Sequence, residues 1–268
     1  MNKGKTLIIL LLLLFSFSVQ AQEKVDFYFI HPGGEGSADD AKPYLSEFFA
    51  YLNEQTGKNF QGIYLNDLDD AVEALTDEKV DMAIVSPSFL LKFKNKFLLQ
   101  TVLKTIPAYS SGPYEKYFIM TNQDTDITKL ASSHSKVKLY TAQEYSKEFL
   151  NETIFGDNDA IKKISWQLLP SPDITTTIKE IAAGNNNTFV LLSGYEFSVV
   201  NALRKKNPAY QSLKLAFSSS ELPSSSLVIV GDKQQNAMEP LKQALLKMPK
   251  TLGGNIILKR LRLKGFTE

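Results

Sequence analysis

Ser86-Pro87-Ser88 ends a mostly apolar run, residues 80–85, with two hydroxyls one position apart. A serine nucleophile there would need an imidazole base and an orienting acid. Only His31 and His134 supply an imidazole, and the chain has no G-x-S-x-G elbow: Ser193-Gly194 follows an apolar strand, but Leu191 stands where the first glycine belongs. His134, in "ASSHSK", reads as an exposed loop residue. His31, at the end of the first apolar strand, reads as a site residue. An exported hydrolase is therefore the weakest reading of these side chains.

Metal chemistry fares no better. There is no cysteine and no H-x-x-x-H pair, which removes thiolate sites, disulfides and the common zinc spacings together. Asp67, Asp69 and Asp70 lack the glycine and terminal glutamate of an EF-hand and read as the acidic first turn of a helix. In "HPGGEGSADD", Asp39 stands where a dinucleotide fingerprint needs glycine or alanine, and no G-K-[ST] follows. The segment reads as a turn. No cofactor and no metal are expected, and the chain is not expected to be an enzyme.

A repeated local theme remains. Strands end in small polar groups just as helices begin: His31 to Ser37, Ser86-Pro87-Ser88, Thr141-Ala142-Gln143, and Ser193-Gly194-Tyr195-Glu196. In parallel sheets the carboxyl ends of strands border the ligand crevice, and helix N-termini there present unpaired N–H groups to a polar or anionic ligand. Each serine taken alone reads first as an N-cap and second as a ligand contact. Their joint occurrence in both halves of the chain points to a binding cleft.

The elements that would position these groups follow from periodicity. Residues 25–30 read as a strand, 40–55 as a helix with Tyr44, Leu45, Phe48, Phe49 and Leu52 on one face, and 60–65 as a second strand. Residues 67–75 make a short helix and 80–85 a third strand. This β-α-β-α-β rhythm is that of a parallel sheet covered by helices. An apolar segment at 98–106 leads into "PAYSSGPYEKYFIM", whose loop chemistry at Ser110-Ser111-Gly112-Pro113 marks a crossing between lobes. Alternation then resumes, with strands at 117–120, 137–140, 166–169 and 188–192 and helices at 143–150 and 174–183. "ELPSSSLVIVGD" is a further loop and strand. Helices at 236–247 and 254–263 close the chain, the latter exposing the basic run from Lys259 to Lys264 on a solvated face.

Residues 1–21 stand apart. Lys3 and Lys5 precede an apolar run at 7–15, and Val19-Gln20-Ala21 has small-x-small character, the pattern of a cleaved export signal. That apolar run is far short of the roughly 20 residues that span a bilayer. Cleavage lowers Lys+Arg from 30 to 28 against 29 Asp+Glu, a net charge of −1. So even a balance argues against nucleic acid or an anionic membrane surface as partner. With no cysteine after the signal, the exported product is expected not to be lipidated, and to be periplasmic and monomeric.

At this point "DDAKPYLSEFFAYLNEQTGKNFQGIYLNDLDDAVEALTDEKVDMAIVSPSFL" resembles the phosphate/phosphonate-type periplasmic substrate-binding proteins. The pattern is carried by Pro43, Tyr51-Leu52, Gly57, Ala71, Ala74-Leu75, Val80-Asp81, Ala83 and Pro87. "ELPSSSLVIV" resembles that family's return strand and "LKGF" its C-terminal helix. The resemblance implies an α/β fold of the two-lobe, type II periplasmic-binding-protein kind, each lobe a sheet flanked by helices, with hinge strands between. Lobe 1 would be residues 22–108 plus 216–268, and lobe 2 residues 109–215. It also implies a solute-binding protein that captures a small polar or anionic ligand, phosphate/phosphonate-like or related, for an ABC permease. The alternative keeps the fold but makes it a ligand-sensing module acting with a membrane receptor. The family's S-T-S-G loop corresponds to "LYTAQEYSKEF", which has Thr141 but no serine–glycine cluster. The first-lobe elbow, Ser86 and Ser88, is kept in kind, and Tyr109, Tyr114 and Tyr145 join His31, Thr141, Gln143, Ser193, Tyr195 and Glu196 as candidates to line the cleft.

Overall fold

A computed structural model of the chain describes residues 24–34, 36–122, 127–130, 136–142, 147–171, 173–184, 188–233 and 235–268. The expected export signal, Gln143, Tyr145 and His134 lie outside the described residues. None of the described helices is long and apolar enough to cross a membrane.

The first half builds one sheet. Strand β1 (Lys24–Ile30) leads into helix α1 (Ala38–Thr56). Two short strands follow, β2 (Asn59–Gln61) and β3 (Tyr64–Leu65), then helix α2 (Leu68–Thr76), strand β4 (Met82–Val85), helix α3 (Pro87–Phe93) and strand β5 (Leu99–Pro107). Strands β13 (Ser226–Val230) and β14 (Leu263–Thr267) return from the end of the chain to complete the order β14-β5-β13-β4-β1-β2, with β3 also on β1. β2, β3 and β4 run parallel to β1, whereas β13 is antiparallel to both β4 and β5. The expected all-parallel sheet is thus mixed, because the returning strands enter it from the opposite end.

Local chemistry accounts for α1. Ser37 and Asp40 form a capping box at its start, and Gly57 ends it with φ 65°, a left-handed cap that a side chain disfavours. Leu45, Phe48, Phe49 and Leu52 pack on the sheet. There Phe27 meets Phe48 edge-on at 5.7 Å and Phe49 at 5.9 Å, within a cluster that also holds Phe29 and Phe60. Tyr44 departs from the expected inner face: it is 46% exposed. Asp67 caps α2 by accepting the N–H groups of Asp69 and Asp70, so these acids do the work of a first turn. The opposite face of the sheet is closed by α2 and α3 through Ala71, Leu75, Phe89 and Phe93.

The second sheet has the order β11-β7-β10-β8-β9, from β7 (Tyr117–Asn122), β8 (Val137–Thr141), β9 (Trp166–Pro170), β10 (Thr188–Ser193) and β11 (Leu213–Ser218). Helix α4 (Ile174–Ala182) and helix α5 (Gly194–Lys206) cover one face. A π-helical turn at Phe149–Ile154 and the short helix Asp159–Lys162 cover the other. β11 crosses the expected lobe boundary at 215/216: residues on both sides of it pair with β7, with a register shift between Leu215 and Phe217, and complete that sheet's antiparallel edge.

Two chain crossings join the sheets. β6 (Tyr114–Glu115) leaves β5, β12 (Leu222–Pro223) leads into β13, and the two pair antiparallel. The Thr105 amide donates to the Ser225 carbonyl at 2.8 Å and the Ser224 amide to Pro113 at 3.1 Å, so the crossings brace each other. Helix α6 (Gln235–Lys247) and helix α7 (Leu252–Arg260) then pack on the first sheet beside α1. The expected C-terminal helix over 254–263 stops at Arg260, and "LKGF" is strand, not helix. β14 pairs with β5, whose outer edge would otherwise leave a row of N–H and C=O groups unpaired.

Candidate functional site

A cavity of about 540 Å³ lies between the two sheets, at the carboxyl ends of β1, β4 and β10. That volume suits a small organic solute. The first lobe contributes His31, Ser86, Tyr44 and Tyr64. The second contributes Tyr117, Ser193, Tyr195 and Glu196. Thr105 comes from β5, Tyr109 and Glu115 from the crossing, Arg260 from the end of α7 and Arg262 from the turn before β14.

His31 sits where β1 ends, its backbone N–H bonded to the Leu65 carbonyl at 2.9 Å. Burial pushes its imidazole down to about 4, so the ring is neutral at physiological pH. Ser86 is only 5% exposed. Its hydroxyl accepts the Phe89 N–H at 3.3 Å as the N-cap of α3 and lies 3.3 Å from the Ser88 hydroxyl. Both hydroxyls are engaged at the start of α3, as cap and hydrogen-bonding groups. Ser88 itself is not on the cavity wall.

The second lobe is more elaborate. Ser193 and Glu196 form a capping box on α5, with the Ser193 N–H donating to the Glu196 carboxylate at 2.7 Å. Both border the cavity, but their side chains are engaged in starting a helix. Glu115, from β6, reaches the same helix end. One carboxylate oxygen accepts the Gly194 N–H at 2.8 Å and the Lys116 N–H at 3.1 Å, and the other accepts the Tyr109 hydroxyl. Burial raises the Glu115 pKa against the pull of these three donors. Burial, the Glu115 charge and the shared hydrogen bond all hold the Tyr109 hydroxyl well above the usual phenol range. Position 194 has to be glycine for this approach: a Cβ there would stand 2.6 Å from the Glu115 oxygen and 2.6 Å from the Tyr109 ring.

Tyr195 faces Tyr109 with ring centroids 6.3 Å apart, and the Arg262 guanidinium lies 3.8 Å from the Tyr195 centroid. Arg262 adopts φ 58°, a left-handed conformation that costs a non-glycine residue about 1 kcal/mol or more. It is held there because its carbonyl accepts the Ala108 N–H at 2.9 Å and its own N–H donates to Lys259 at 3.1 Å. Arg260 forms a two-oxygen ion pair with Glu47. The basic run is therefore divided among a helix end, a strained turn and a strand, and two of its arginines face the cavity rather than solvent alone.

Of the candidates read from sequence, His31, Ser86, Tyr109, Ser193, Tyr195 and Glu196 come together on the cavity wall. Tyr114 and Thr141 do not. Tyr114 folds its ring over Gly112, and Thr141 is 5% exposed between β9 and β10. Glu115, Tyr44, Tyr64, Tyr117 and Arg262 were missed. The tyrosine–acid alternation of "PYEKY" was the available signal for Glu115, whereas nothing local marks Arg262. Among the described residues no group of three or more histidine or carboxylate side chains is arranged to hold a metal ion.

Residues 35–147 match the family described as ABC transporter, phosphonate, periplasmic substrate-binding protein. No curated protein matches. A binding protein component of an ABC phosphonate transporter from Pseudomonas aeruginosa is similar at 16% identity and TM-score 0.65, covering 92% of this chain and 81% of that one. A Prochlorococcus marinus protein in complex with methylphosphonate shares 16% identity at TM-score 0.64, over 91% and 92% of the two chains. A Xanthomonas citri protein bound to ATP shares 12% at TM-score 0.65, over 91% and 90%. The chain has the two-lobe, type II periplasmic-binding-protein fold.

Proposed function

We propose that this chain, matched over residues 35–147 by the phosphonate-type periplasmic substrate-binding family, is an exported solute-binding protein that captures a small polar or anionic solute between its lobes. It hands that solute to an ABC permease. The observation that carries the reading is the cavity itself: both sheets, both crossings and the C-terminal turn contribute walls to one space of about 540 Å³. Hinge closure around such a space is a recurrent way to sequester a ligand. His31, Ser86, Tyr109 and Tyr195 are the side chains best placed to touch the solute. The paired crossings β6 and β12 act as the hinge, with lobe 1 continuing through β13 and β14. The mature chain begins near residue 22, carries no lipid and works as a monomer.

Isothermal titration of the mature chain against methylphosphonate, phosphate, small organic acids, amines and sugars tests the reading. A saturable one-to-one heat with a smaller radius of gyration by small-angle scattering is expected for at least one of them. Absence of binding across the panel, with no compaction, overturns it.

A further inference from the structure

The N-terminus of a helix facing a cleft is the natural seat for a ligand anion, since its N–H groups and dipole favour negative charge there. At α5 that seat is already filled. The Glu115 carboxylate accepts the Gly194 N–H, and Gly194 has no Cβ to keep it away. The Ser193 N–H is taken by Glu196. At α1, another helix start on the cavity wall, Asp40 accepts both the N–H and the hydroxyl of Ser37, at 2.9 and 2.7 Å. Glu115 thus holds a first-turn N–H of α5, while Glu196 and Asp40 bring further negative charge to the two helix starts. Against them the wall carries Arg260, paired with Glu47 outside the cavity, and Arg262.

Arg262 supplies an independent observation. It borders this space, with its guanidinium 3.8 Å from the centre of the Tyr195 ring. A planar cation therefore fits on that aromatic face, a geometry that favours ammonium and guanidinium groups. Tyr109, tilted at 52° to Tyr195, links this face to Glu115 through its hydroxyl.

We propose that the solute presents an ammonium or guanidinium group to lobe 2, on the Tyr195 face that Arg262 now occupies, and that Glu115 sets this preference by filling the anion seat with its own carboxylate. This rests on the solute-binding reading above and narrows it. Arg262 is then a stand-in for the ligand, displaced when the solute enters.

The test is titration of methylguanidinium, ethanolammonium, methylphosphonate and inorganic phosphate into the mature chain and into Glu115→Gln and Arg262→Ala. The cations are expected to bind the unmodified chain more tightly than the anions. Glu115→Gln should weaken them about tenfold, since it removes a negative charge beside the Tyr195 face. Arg262→Ala should tighten them roughly two- to fivefold by removing the internal competitor. This second variant keeps the carboxylate and its helix contact, so the proposal stays testable where Glu115→Gln unfolds. Tighter binding of methylphosphonate or phosphate than of either cation, lost in Arg262→Ala, overturns the inference and leaves the solute-binding reading standing. Failure of the cations with binding of an uncharged solute from the wider panel has the same consequence. Failure of every solute, with no compaction, removes the solute-binding reading and this inference with it.

Discussion

Gly194→Ala tests whether the Glu115 contact is as tight as the geometry says. The new Cβ would lie 2.6 Å from the Glu115 oxygen and 2.6 and 2.9 Å from two Tyr109 ring carbons, all belonging to groups packed under the second lobe. Overfilling a packed site costs about 1–3 kcal/mol. If the carboxylate retreats instead, a buried hydrogen bond of 2.8 Å is lost, at a similar cost of about 1–3 kcal/mol. These are alternative responses to one strain, so they do not add. Replacing glycine by alanine in a helix returns at most about 1 kcal/mol. The net expectation is a destabilisation of about 1–2 kcal/mol. Gly253, in α7, is the control: nothing lies within 4 Å of its would-be Cβ. Gly253→Ala should therefore stabilise by about 0.5–1 kcal/mol through helix propensity alone. Urea unfolding of both variants, with hydrogen exchange on α5 and α7 to localise the change, gives the comparison. If Gly194→Ala proves as stable as the parent, the close approach of Glu115 is wrong, and the filled anion seat goes with it.

Three other outcomes are expected. The His31 imidazole titrates near 4 in the folded chain against 6.5 when unfolded. Its contribution to stability is therefore full above pH 6.5, is lost as pH falls from there towards 4, and amounts to at most about 3 kcal/mol. Urea midpoints across that window should fall less steeply in His31→Phe than in the parent, and equal slopes would refute the assignment. Phe48→Ala should cost about 3–5 kcal/mol, because Phe48 is fully buried among Phe27, Phe29 and Phe49; a loss below about 1 kcal/mol by denaturation would contradict that packing. Arg260→Ala should change stability by less than about 1 kcal/mol, since both ion-pair partners are solvent-exposed. A larger loss in urea would mean that the arginine stem, rather than its charge, supports α7.

Much of the fold was legible because it rests on local periodicity. The stripe of Leu45, Phe48, Phe49 and Leu52, the acids at Asp67, Asp69 and Asp70, and the polar ends of β1, β4 and β10 are read within a few residues of themselves. The start of helix α5 is marked at Ser193 to Glu196 but its extent is not, since the run of charges at Arg204, Lys205 and Lys206 weakens its pattern and its hydrophobic face is modest. The π-helical turn at Phe149–Ile154 follows no simple period. Strand β14 was mistaken for helix because "RLRLKGF" alternates too briefly to be told from a helix end.

The sequence by itself determined that the chain has no cysteine and two histidines, that the halves are α/β, and that strand ends carry hydroxyls and an imidazole. Local composition and spacing suffice for these. Only the tertiary structure decided what sits at those ends. Glu115 lies 79 positions before Gly194, and Arg262 lies 67 positions after Tyr195. Neither pairing leaves a local mark, because each depends on how the crossings and the returning C-terminal turn bring two separately folded sheets face to face. The physical consequence is a change of sign at two of these ends: the starts of α1 and α5 already hold the protein's own carboxylates in space.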